Sequence, residues 1–319
     1  MGFLFAKDKI VVITKKTALE EQVERSNTRA QARFYVEHLG SSFADVESAH
    51  DGYHAVLDRL RADLRDQVSE LRSQFVERSF LPNFQFGPND IVLTVGPDGL
   101  VVNTAKYLDG QPLVAVNPDP RHVDGVLLPF TVGQVVPVLR AVMRGQIRSR
   151  DLRMAQAVLS DGQTLLAVND LFIGAKSHVS ARYRLLYRGQ EEQQSSSGVI
   201  VSTGAGSTGW YRSVLAGAVG VVEGLIPHMG VGALRDRYRF DATSDELRFC
   251  VREPFVSRTS GAGLVTGRLG PGELLEITSQ MPQSGVIFSD GVESDFLRFD
   301  VGVTAKIGLA ERRVRLVEP

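Results

Sequence analysis

The sequence contains almost none of the features that mark secreted, membrane-bound or nucleic-acid-binding proteins. Its 319 residues include a single cysteine, which excludes an intrachain disulfide and agrees with a reducing compartment. With 36 basic and 37 acidic residues the net charge is −1, so no overall field attracts nucleic acids or anionic membranes. The N-terminal segment GFLFA is too short for a signal peptide or a membrane span. We therefore expect a cytoplasmic protein that binds neither nucleic acid nor membrane.

The cysteine and the histidines give little support for a nucleophile or a metal site. Cys250 lies in an alternating run typical of a strand, where a buried thiol is far commoner than a nucleophile. His50 and His54 are four residues apart, but the Asp-Gly pair between them indicates a turn, and no third ligand is evident. The sequence therefore predicts no metal site.

Length and pattern both favour two domains. The chain exceeds the roughly 250–300 residues at which a single core stops growing. Up to residue 150, apolar strands alternate with helical stripes, which predicts an α/β domain with a Rossmann-like parallel sheet. From 151 to 319, short alternating runs separated by Gly, Ser, Asn and Pro predict a β-rich, antiparallel domain. We expect the C-terminal segment to be able to pack on the first domain.

Hydrophobic period and capping signals locate individual elements. Thr17 with Glu20, and Thr131 with Gln134, have the spacing of capping boxes. The segment EEQQSSS is predicted to be a polar tip between two strands. The other predicted elements are a strand at 9–14, a helix from Thr17 to Gly40, a long helix over 57–75, a strand at 113–116 and a helix from Thr131 to Gly145.

The stretch IVLTVGPDG, residues 91–99, is the candidate around which the chain is organised. Five strand-forming residues lead into Gly96, Pro97, Asp98 and Gly99, and this places a carboxylate where α/β folds bind their ligands. The same Pro-Asp-Gly trio is also a turn signal, with LVVNTAKYL as the return strand of a hairpin. The local sequence supports the two alternatives equally. Asp98 is the candidate catalytic residue if a helix follows.

A second glycine cluster, STGAGSTGW at 202–210, contains G-x-G-x-x-G with Glu223 about twenty residues on. A dinucleotide-binding dehydrogenase is therefore one interpretation, and it requires parallel strands near residue 200. The match is weak because only a short helix follows, and without a lysine the loop is not a P-loop. Clustered backbone N–H groups with Ser207 and Thr208 are suited to phosphate or ribose oxygens, although a flexible Gly-Ser turn has the same composition.

Six motifs follow one another in an order that resembles the NAD kinase family, in particular its mitochondrial-type branch. They are VGPDG, VNPDPRHVDG, VNDLFIG, SSSGVIVSTGAGSTGW, VREPF and SDG, and the similarity spans nearly the whole chain. The resemblance implies a strand, a phosphate-binding loop and a helix around Pro97 instead of a hairpin. It also implies ATP as phosphate donor, Mg²⁺ carried with the ATP, NAD(H) as substrate, NADP(H) as product, and a homodimer.

The resemblance also assigns roles to residues. In that family the Asp of a Gly-Gly-Asp-Gly loop activates the 2′-hydroxyl of the adenosine ribose of NAD for attack on the γ-phosphate of ATP, and Asp98 falls on it. Gly96 and Gly99 flank this Asp, and Asn169 with Asp170 falls on an Asn-Glu pair that holds the dinucleotide. Such machinery is sufficient because phosphoryl transfer depends mainly on positioning and charge neutralisation. The nucleotide-contact candidates from the second glycine cluster are Thr203, Ser207, Thr208, Gly209 and Ser213.

Several positions depart from the family pattern. Pro97 replaces a glycine, which removes one N–H donor, and Leu100 stands where a Thr is common. Ser197 stands where many members carry an Asp, and Gly209 with Trp210 replaces an Ala-Tyr pair. These changes surround phosphate handling, so the alternative prediction is a non-catalytic or altered-specificity NAD(P)(H)-binding protein on the same fold.

Overall fold

The computed structural model describes residues 7–123, 125–226, 229–234 and 237–319. The chain divides into two compact units, unit 1 with Met1–Arg150 and Arg315–Pro319, and unit 2 with Asp151–Val314. The GFLFA segment, residues 2–6, lies outside the described residues. Within the described ranges, no helix combines the length and the hydropathy that crossing a bilayer requires.

Unit 1 is an α/β layer built on a parallel sheet. Its sheet has the order β4-β3-β1-β2, and each of these neighbouring pairs is parallel. Its elements are β1 (Lys9–Thr14), α1 (Ala18–Ser26), α2 (Arg29–His38), α3 (Phe43–Gln67), β2 (Arg72–Glu77), β3 (Ile91–Val95), α4 (Asp98–Ala105), β4 (Pro112–Asn117), β5 (Phe130–Thr131) and α5 (Val135–Met143).

The two central strands have the burial that is typical of a parallel sheet. Every residue of β3 and β4 is buried, which is typical of strands covered by helices on both faces. The C-terminal residues of the chain extend the sheet, because Arg315 and Leu316 pair in parallel with Pro112 and Leu113. The strand predicted at 9–14 and both predicted capping boxes are confirmed.

The helix predicted from Thr17 to Gly40 is divided in two. Asn27 ends α1 with a φ of 61°, and Thr28 caps α2 by accepting a hydrogen bond from the Gln31 N–H. Asparagine tolerates this left-handed conformation better than most residues, and a Ser-Asn-Thr sequence supplies both the stop and the next cap. The apolar residues on each side did not reveal the break.

The long helix predicted over 57–75 was wrong at both ends. α3 begins at Phe43, runs through the Asp-Gly pair that indicated a turn, and ends at Gln67. Residues 72–77 instead form β2, which pairs in parallel with β1. The spacing of Leu71 and Phe75 fits a helical stripe, but pairing with the exposed edge of β1 takes precedence over that local pattern.

Unit 2 is rich in antiparallel strands, as predicted, and these strands belong to two sheets. One sheet includes the order β10-β9-β14-β17, and the other has the order β13-β12-β11-β8-β15-β16. Apolar residues of both sheets form one core, including Leu171, Val201, Tyr183 and Ile277. The remaining elements are β6 (Arg148–Leu159), β7 (Thr164–Ala167), β8 (Asp170–Ala175), β9 (Ala181–Tyr187), β10 (Gln190–Ser196), β11 (Val199–Ser202), α6 (Trp210–Leu225), β12 (Leu247–Val251), β13 (Thr266–Leu269), β14 (Leu275–Ser279), β15 (Gly285–Ser289), β16 (Val292–Arg298) and β17 (Thr304–Glu318).

The segment EEQQSSS, predicted to be a tip, is most of a strand. β10 pairs antiparallel with β9 in continuous register, and the turn lies earlier, at Arg188 and Gly189. Both turn residues have positive φ, 49° and 77°, as a two-residue hairpin turn of the primed type requires. Polar side chains still fit the strand because Ser196 is buried and its hydroxyl lies 2.7 Å from the Tyr183 hydroxyl.

Candidate functional site

The stretch around Asp98 is a strand, a bend and a helix, and not a hairpin. β3 ends at Val95, Gly96 and Pro97 form the bend, and Asp98 is the first residue of α4. Pro97 takes an extended conformation, with φ −73° and ψ 169°, and gives the helix no side-chain cap. The candidate carboxylate therefore lies at the carboxyl end of a buried parallel strand and at the N-terminus of a helix.

The Asp98 side chain is held by the loop that follows the neighbouring strand. Its Oδ1 atom accepts a hydrogen bond of 2.9 Å from the Leu127 N–H, and its Oδ2 atom accepts one of 3.1 Å from the Val126 N–H. The same loop is braced by Asn117, which donates to the Val123 carbonyl at 2.8 Å. Because a carboxylate has about four acceptor positions, Asp98 is oriented by these two bonds and can still accept a hydrogen bond from a ligand.

Leu100 has a packing role in this bend. Its side chain is buried, and a Cβ atom at Gly96 would lie 2.8 Å from the Leu100 Cδ2 atom. A larger residue at Gly96 would therefore require the Leu100 side chain to shift, whereas nothing lies within 4 Å of a Cβ atom at Gly99. The departure at Leu100 replaces a hydroxyl with an apolar contact that fixes the bend.

Tyr53 is a residue of this region that the sequence did not single out. Its hydroxyl donates to the Val95 carbonyl at 2.8 Å and accepts from the Lys15 N–H at 3.2 Å. It therefore joins the ends of β1 and β3 directly before the Gly96 bend. Burial raises the pKa of Tyr53 to about 12, so the phenol stays neutral and keeps its donor proton. The only sequence signal was its position one helical turn before Leu57.

In unit 2 the structure brings Asn169, Asp170 and Thr203 together. β8 and β11 are antiparallel neighbours in which Asp170 is paired with Ser202. The Thr203 N–H donates to the Asn169 carbonyl at 2.9 Å, and the Thr203 hydroxyl donates to the Val168 carbonyl. Thr203 is buried and its hydroxyl is used within the protein, so it supports the Asn169–Asp170 pair from the next strand.

The glycines of the second cluster are required by close backbone approaches. A Cβ atom at Gly206 would lie 2.1 Å from the Asn169 carbonyl oxygen, and one at Gly204 would lie 2.0 Å from the Asp241 carbonyl oxygen. These distances are far below any normal contact, so each position excludes every other residue without a local shift. The loop is thus packed against the backbone of Asn169 and is not a flexible Gly-Ser turn.

The hydroxyl-bearing candidates in this loop fall into two groups. Ser207 is fully buried and donates to the Gly204 carbonyl at 2.7 Å, so it stabilises the loop. Thr208 and Gly209 are exposed, and so is Ser213 one turn into α6, whose hydroxyl lies 3.4 Å from the Gly209 carbonyl. The exposed group is available to a ligand, and the buried group shapes the loop.

Asp290 is a second residue that the sequence left without a role, although its SDG motif was visible. It lies in the turn between β15 and β16 with a φ of 56°. Its carboxylate accepts backbone hydrogen bonds from Val168 at 3.1 Å, Asn169 at 2.7 Å and Asp170 at 3.3 Å. Asp290 therefore fixes the backbone of the whole Asn169–Asp170 segment.

Asp170 is buried beside this second carboxylate. Burial, followed by the negative charge of Asp290, raises the pKa of Asp170 from 3.8 to about 7. A carboxyl group with such a pKa changes its protonation near neutral pH, which is uncommon outside functional sites. Sequence motifs locate Asp170, but only the fold places Asp290 next to it.

The dehydrogenase interpretation and a nucleophilic cysteine are both excluded by this arrangement. β11, which precedes the glycine cluster, pairs antiparallel with both β8 and β12, so no parallel βαβ unit exists there. The helix that follows, α6, has 16 residues and is longer than predicted. Cys250 is buried on β12, and burial raises the pKa of its thiol to about 12.

No protein-family model matches the sequence. The chain is 25% identical over 272 residues to "NAD kinase 2, mitochondrial" of Rattus norvegicus, with 70% of this chain and 64% of that protein covered. It is 24% identical over 226 residues to "Probable NADH kinase" of Oryza sativa subsp. japonica, with 63% of each covered. The chain therefore spans a little less than two thirds of the length of these relatives.

Two solved structures are similar to the whole chain. Yeast NADH kinase complexed with NADH has a TM-score of 0.58 at 14% identity, covering 99% of this chain and 84% of its own. An NAD kinase from Archaeoglobus fulgidus in complex with ATP has a TM-score of 0.55 at 16% identity, covering 97% and 93%. This chain has the NAD kinase fold. The predicted α/β and β-rich architecture is confirmed, and so is the resemblance to the NAD kinase family.

Within this NAD kinase fold, Trp210 belongs to an aromatic cluster on the second sheet of unit 2. Its ring stacks on Phe172 with centroids 5.4 Å apart, and Phe172 stacks on Phe288 at 4.8 Å. The Arg252 guanidinium lies 5.1 Å from the Trp210 ring centre and donates to the Ser197 carbonyl at 3.4 Å. Two of the departures from the family pattern, Ser197 and Trp210, are thus connected through one arginine.

Proposed function

We propose that this protein is an ATP-dependent kinase that phosphorylates the 2′-hydroxyl of the adenosine ribose of NAD(H) and yields NADP(H). The single observation that carries the proposal is Asp98, a carboxylate held by two backbone N–H groups at the start of α4, in a chain with the NAD kinase fold. Asp98 takes the proton of the 2′-hydroxyl as the ribose oxygen attacks the γ-phosphorus of ATP. The bond from that phosphorus to the β–γ bridging oxygen breaks, and ADP leaves.

The residues around Asp98 contribute to the reaction by positioning the phosphates and by stabilising their negative charge. The N-terminus of α4 carries a partial positive charge that favours phosphate oxygens beside Gly96 and Gly99. Mg²⁺ enters as part of the MgATP substrate and neutralises the charge of its phosphates. Pro97 contributes no N–H group here, so backbone donors of the neighbouring residues hold the phosphates.

Unit 2 is proposed to bind the dinucleotide. In this proposal Asn169 and Asp170, whose backbone N–H groups donate to Asp290, hydrogen-bond hydroxyl and amide groups of the ligand. The exposed Thr208, Gly209 and Ser213 are the further nucleotide contacts, and Thr203 and Ser207 keep the loop in place. The names of the relatives, which include an NAD kinase and a probable NADH kinase, support both redox states of the substrate as candidates.

The direct test is turnover by the purified protein with MgATP and either NAD or NADH, followed by chromatographic detection of NADP or NADPH. We expect phosphorylated product with at least one of the two. Tight NAD(H) binding without product would contradict the kinase proposal and support a non-catalytic binding protein. The double variant Pro97→Gly with Leu100→Thr strengthens this test. If the wild type gives no product and the double variant does, the residues of the bend cause the loss of activity.

We propose that the protein forms a homodimer through α6. Val221 and Leu225 in α6 and Ile226 directly after it are apolar and 62%, 78% and 52% exposed, and exposed apolar residues clustered in this way mark interaction surfaces. Light scattering on size-exclusion eluates should give the mass of two chains for the wild type and of one chain for Leu225→Asp. Val256→Asp, at another exposed apolar position, is the matched control and should remain dimeric. A monomeric wild type would overturn the assignment.

We propose a cytoplasmic location. The support is the single cysteine of the sequence, Cys250, because a chain without an intrachain disulfide is typical of a reducing compartment. Fractionation of cells that produce the native chain tests the location, and recovery in an organelle would contradict it. The mitochondrial fraction is the relevant comparison, because the name of the rat relative contains the word "mitochondrial".

A further inference from the structure

Three side chains of unit 1 converge on one point. Glu20 belongs to the first turn of α1, and His50 and His54 lie one turn apart on the same face of α3. One ligand atom of each lies within 4.8 Å of the others. The two imidazole rings have their centroids 4.4 Å apart, and Nε2 of His54 is 3.0 Å from Oε1 of Glu20.

The structure removes both reasons for predicting no metal site at His50 and His54. The Asp-Gly pair between them does not turn, so both rings project from one side of a continuous helix. The missing third ligand comes from Glu20, thirty residues earlier in the chain. Sequence spacing alone showed only the histidine pair.

Two of the three side chains, Glu20 and His50, are also held by a hydrogen bond that leaves a ligand atom available. Glu20 uses Oε2 to accept the Thr17 N–H at 2.7 Å in the capping box, so Oε1 faces His54. Nδ1 of His50 lies 2.8 Å from the Thr17 hydroxyl, which leaves Nε2 for a ligand role. Supporting hydrogen bonds of this kind orient the ligands in known metal sites.

The charges around the group permit a cation. Lys16 and Arg29 line the same surface depression, but Lys16 pairs with Glu24 at 2.7 Å and Arg29 pairs with Glu47 at 2.6 Å. Burial acts to raise the pKa of Glu20, but the hydrogen bonds from Thr17 and His54 outweigh it and lower the pKa below its ordinary value. Glu20 is therefore an anion at neutral pH.

We propose that Glu20, His50 and His54 bind one divalent transition-metal ion of the zinc type. Two imidazole nitrogens and one carboxylate oxygen are a ligand set that zinc uses with water in the fourth position. Metal–ligand bonds of about 2.0–2.2 Å place tetrahedral ligand atoms roughly 3.4 Å apart, which small side-chain adjustments achieve here. The depression beside His50 gives the ion an entry path and space for the water.

Such an ion would join α1 to α3 next to Tyr53. The Tyr53 ring contacts His54 edge to face at 6.0 Å, and its hydroxyl holds the Val95 carbonyl before the Gly96 bend. Binding is therefore expected to stabilise unit 1, because an ion that binds only the folded state raises the free energy of unfolding.

The test is zinc binding by the purified full chain after chelation, measured by isothermal titration calorimetry and by thermal denaturation. We expect one ion per chain and a rise in Tm. Glu20→Gln and His54→Asn should each raise the Kd at least about tenfold. Glu20→Gln is informative because glutamine keeps the capping box while removing the anionic ligand. His178→Asn, an exposed histidine in a loop of unit 2, is the control and should bind zinc as the wild type does.

Cobalt reports the coordination geometry of the wild-type site directly. Co²⁺ bound by the wild type should show the intense visible absorption of a four-coordinate site, and Glu20→Gln should lose it. Absence of saturable zinc binding would overturn the proposal. Equal Kd values in the wild type and both variants would also overturn it, because the ion would then be bound elsewhere. If circular dichroism shows that a variant has lost its helices, the wild-type cobalt spectrum decides. The weak absorption of octahedral Co²⁺ in that spectrum would contradict the proposed four-coordinate site.

Discussion

The Oδ1 atom of Asp290 lies 2.7 Å from the backbone nitrogen of Asn169, a residue 121 positions earlier in the chain. The same carboxylate also accepts from the N–H groups of Val168 and Asp170. The peptide groups that present Asn169 and Asp170 are therefore ordered by a turn between two later strands. We infer that Asp290 is a positioning residue, because its contacts are to the backbone of the proposed binding pair.

Asp290→Asn tests this positioning role. Asparagine keeps the positive φ with little strain, but its amide NH₂ group cannot accept the hydrogen bonds that one carboxylate oxygen now receives. We expect a loss of about 1.5–3 kcal/mol in the free energy of unfolding and a KM for NAD(H) at least about tenfold higher, with the KM for ATP changing less. Denaturant titration and steady-state kinetics measure these quantities.

The control for Asp290 is Asp161→Asn. Asp161 also accepts a backbone N–H group, that of Gln163 at 3.1 Å, but it lies in an exposed turn. This variant should leave both the KM for NAD(H) and the stability nearly unchanged. Equal effects of the two substitutions would contradict a specific role for Asp290.

The raised pKa of Asp170 makes stability depend on pH in a defined direction. The folded-state pKa of about 7 lies above the ordinary 3.8, so between these values the folded protein binds more protons than the unfolded chain. Its stabilising contribution is therefore complete below about pH 4 and is lost as the pH rises through 7. Asp170→Asn removes the buried negative charge that destabilises the folded protein at a pH above 7.

We expect Asp170→Asn to raise the Tm at pH 8 more than at pH 5. The free energy of unfolding should differ between the two pH values by on the order of 1–4 kcal/mol relative to the wild type. Thermal denaturation at both pH values measures the difference. Asp58→Asn, at a side chain 72% exposed, should show no such dependence. A change of equal size at pH 5 and pH 8 would show that Asp170 is ionised throughout.

Gly206→Ala tests the contact between the glycine cluster and Asn169. The new Cβ atom would meet the Asn169 carbonyl oxygen at 2.1 Å, so one of the two backbones must move. We expect a loss of about 1–3 kcal/mol in stability and weaker NAD(H) binding. Gly217→Ala, in α6 with nothing within 4 Å of its Cβ atom, should be neutral or slightly stabilising. Unchanged NAD(H) affinity in Gly206→Ala would contradict the proposed role of this loop.

Much of the architecture was predictable because it depends on local pattern. The buried, mostly apolar strands β3 and β4 and the Thr17–Glu20 capping box follow from residue type and spacing alone. The bend at Pro97 could not be predicted in this way, because a hairpin turn and a strand-to-helix junction use the same residues. There the order of six motifs, and not the local sequence, led to the correct interpretation.

The parts that the sequence did not reveal depend on contacts between distant residues. β2 looks helical by spacing and becomes a strand only because β1 offers an edge. Asp290 acquires its role from three backbone N–H groups more than a hundred residues away. Likewise, Glu20 meets His54 only when α1 packs on α3, and no local pattern records that approach.

The measurement that tests the central claim most directly is the rate of NADP(H) formation from MgATP and NAD(H) by the wild type and by Asp98→Asn. Without its base, the variant should have a kcat lower by at least about 10²-fold, with NAD(H) affinity by calorimetry changed no more than a few fold. Asp66→Asn, at an exposed aspartate that pairs with Arg65, should retain the wild-type rate. An Asp98→Asn variant as fast as the wild type would contradict the account.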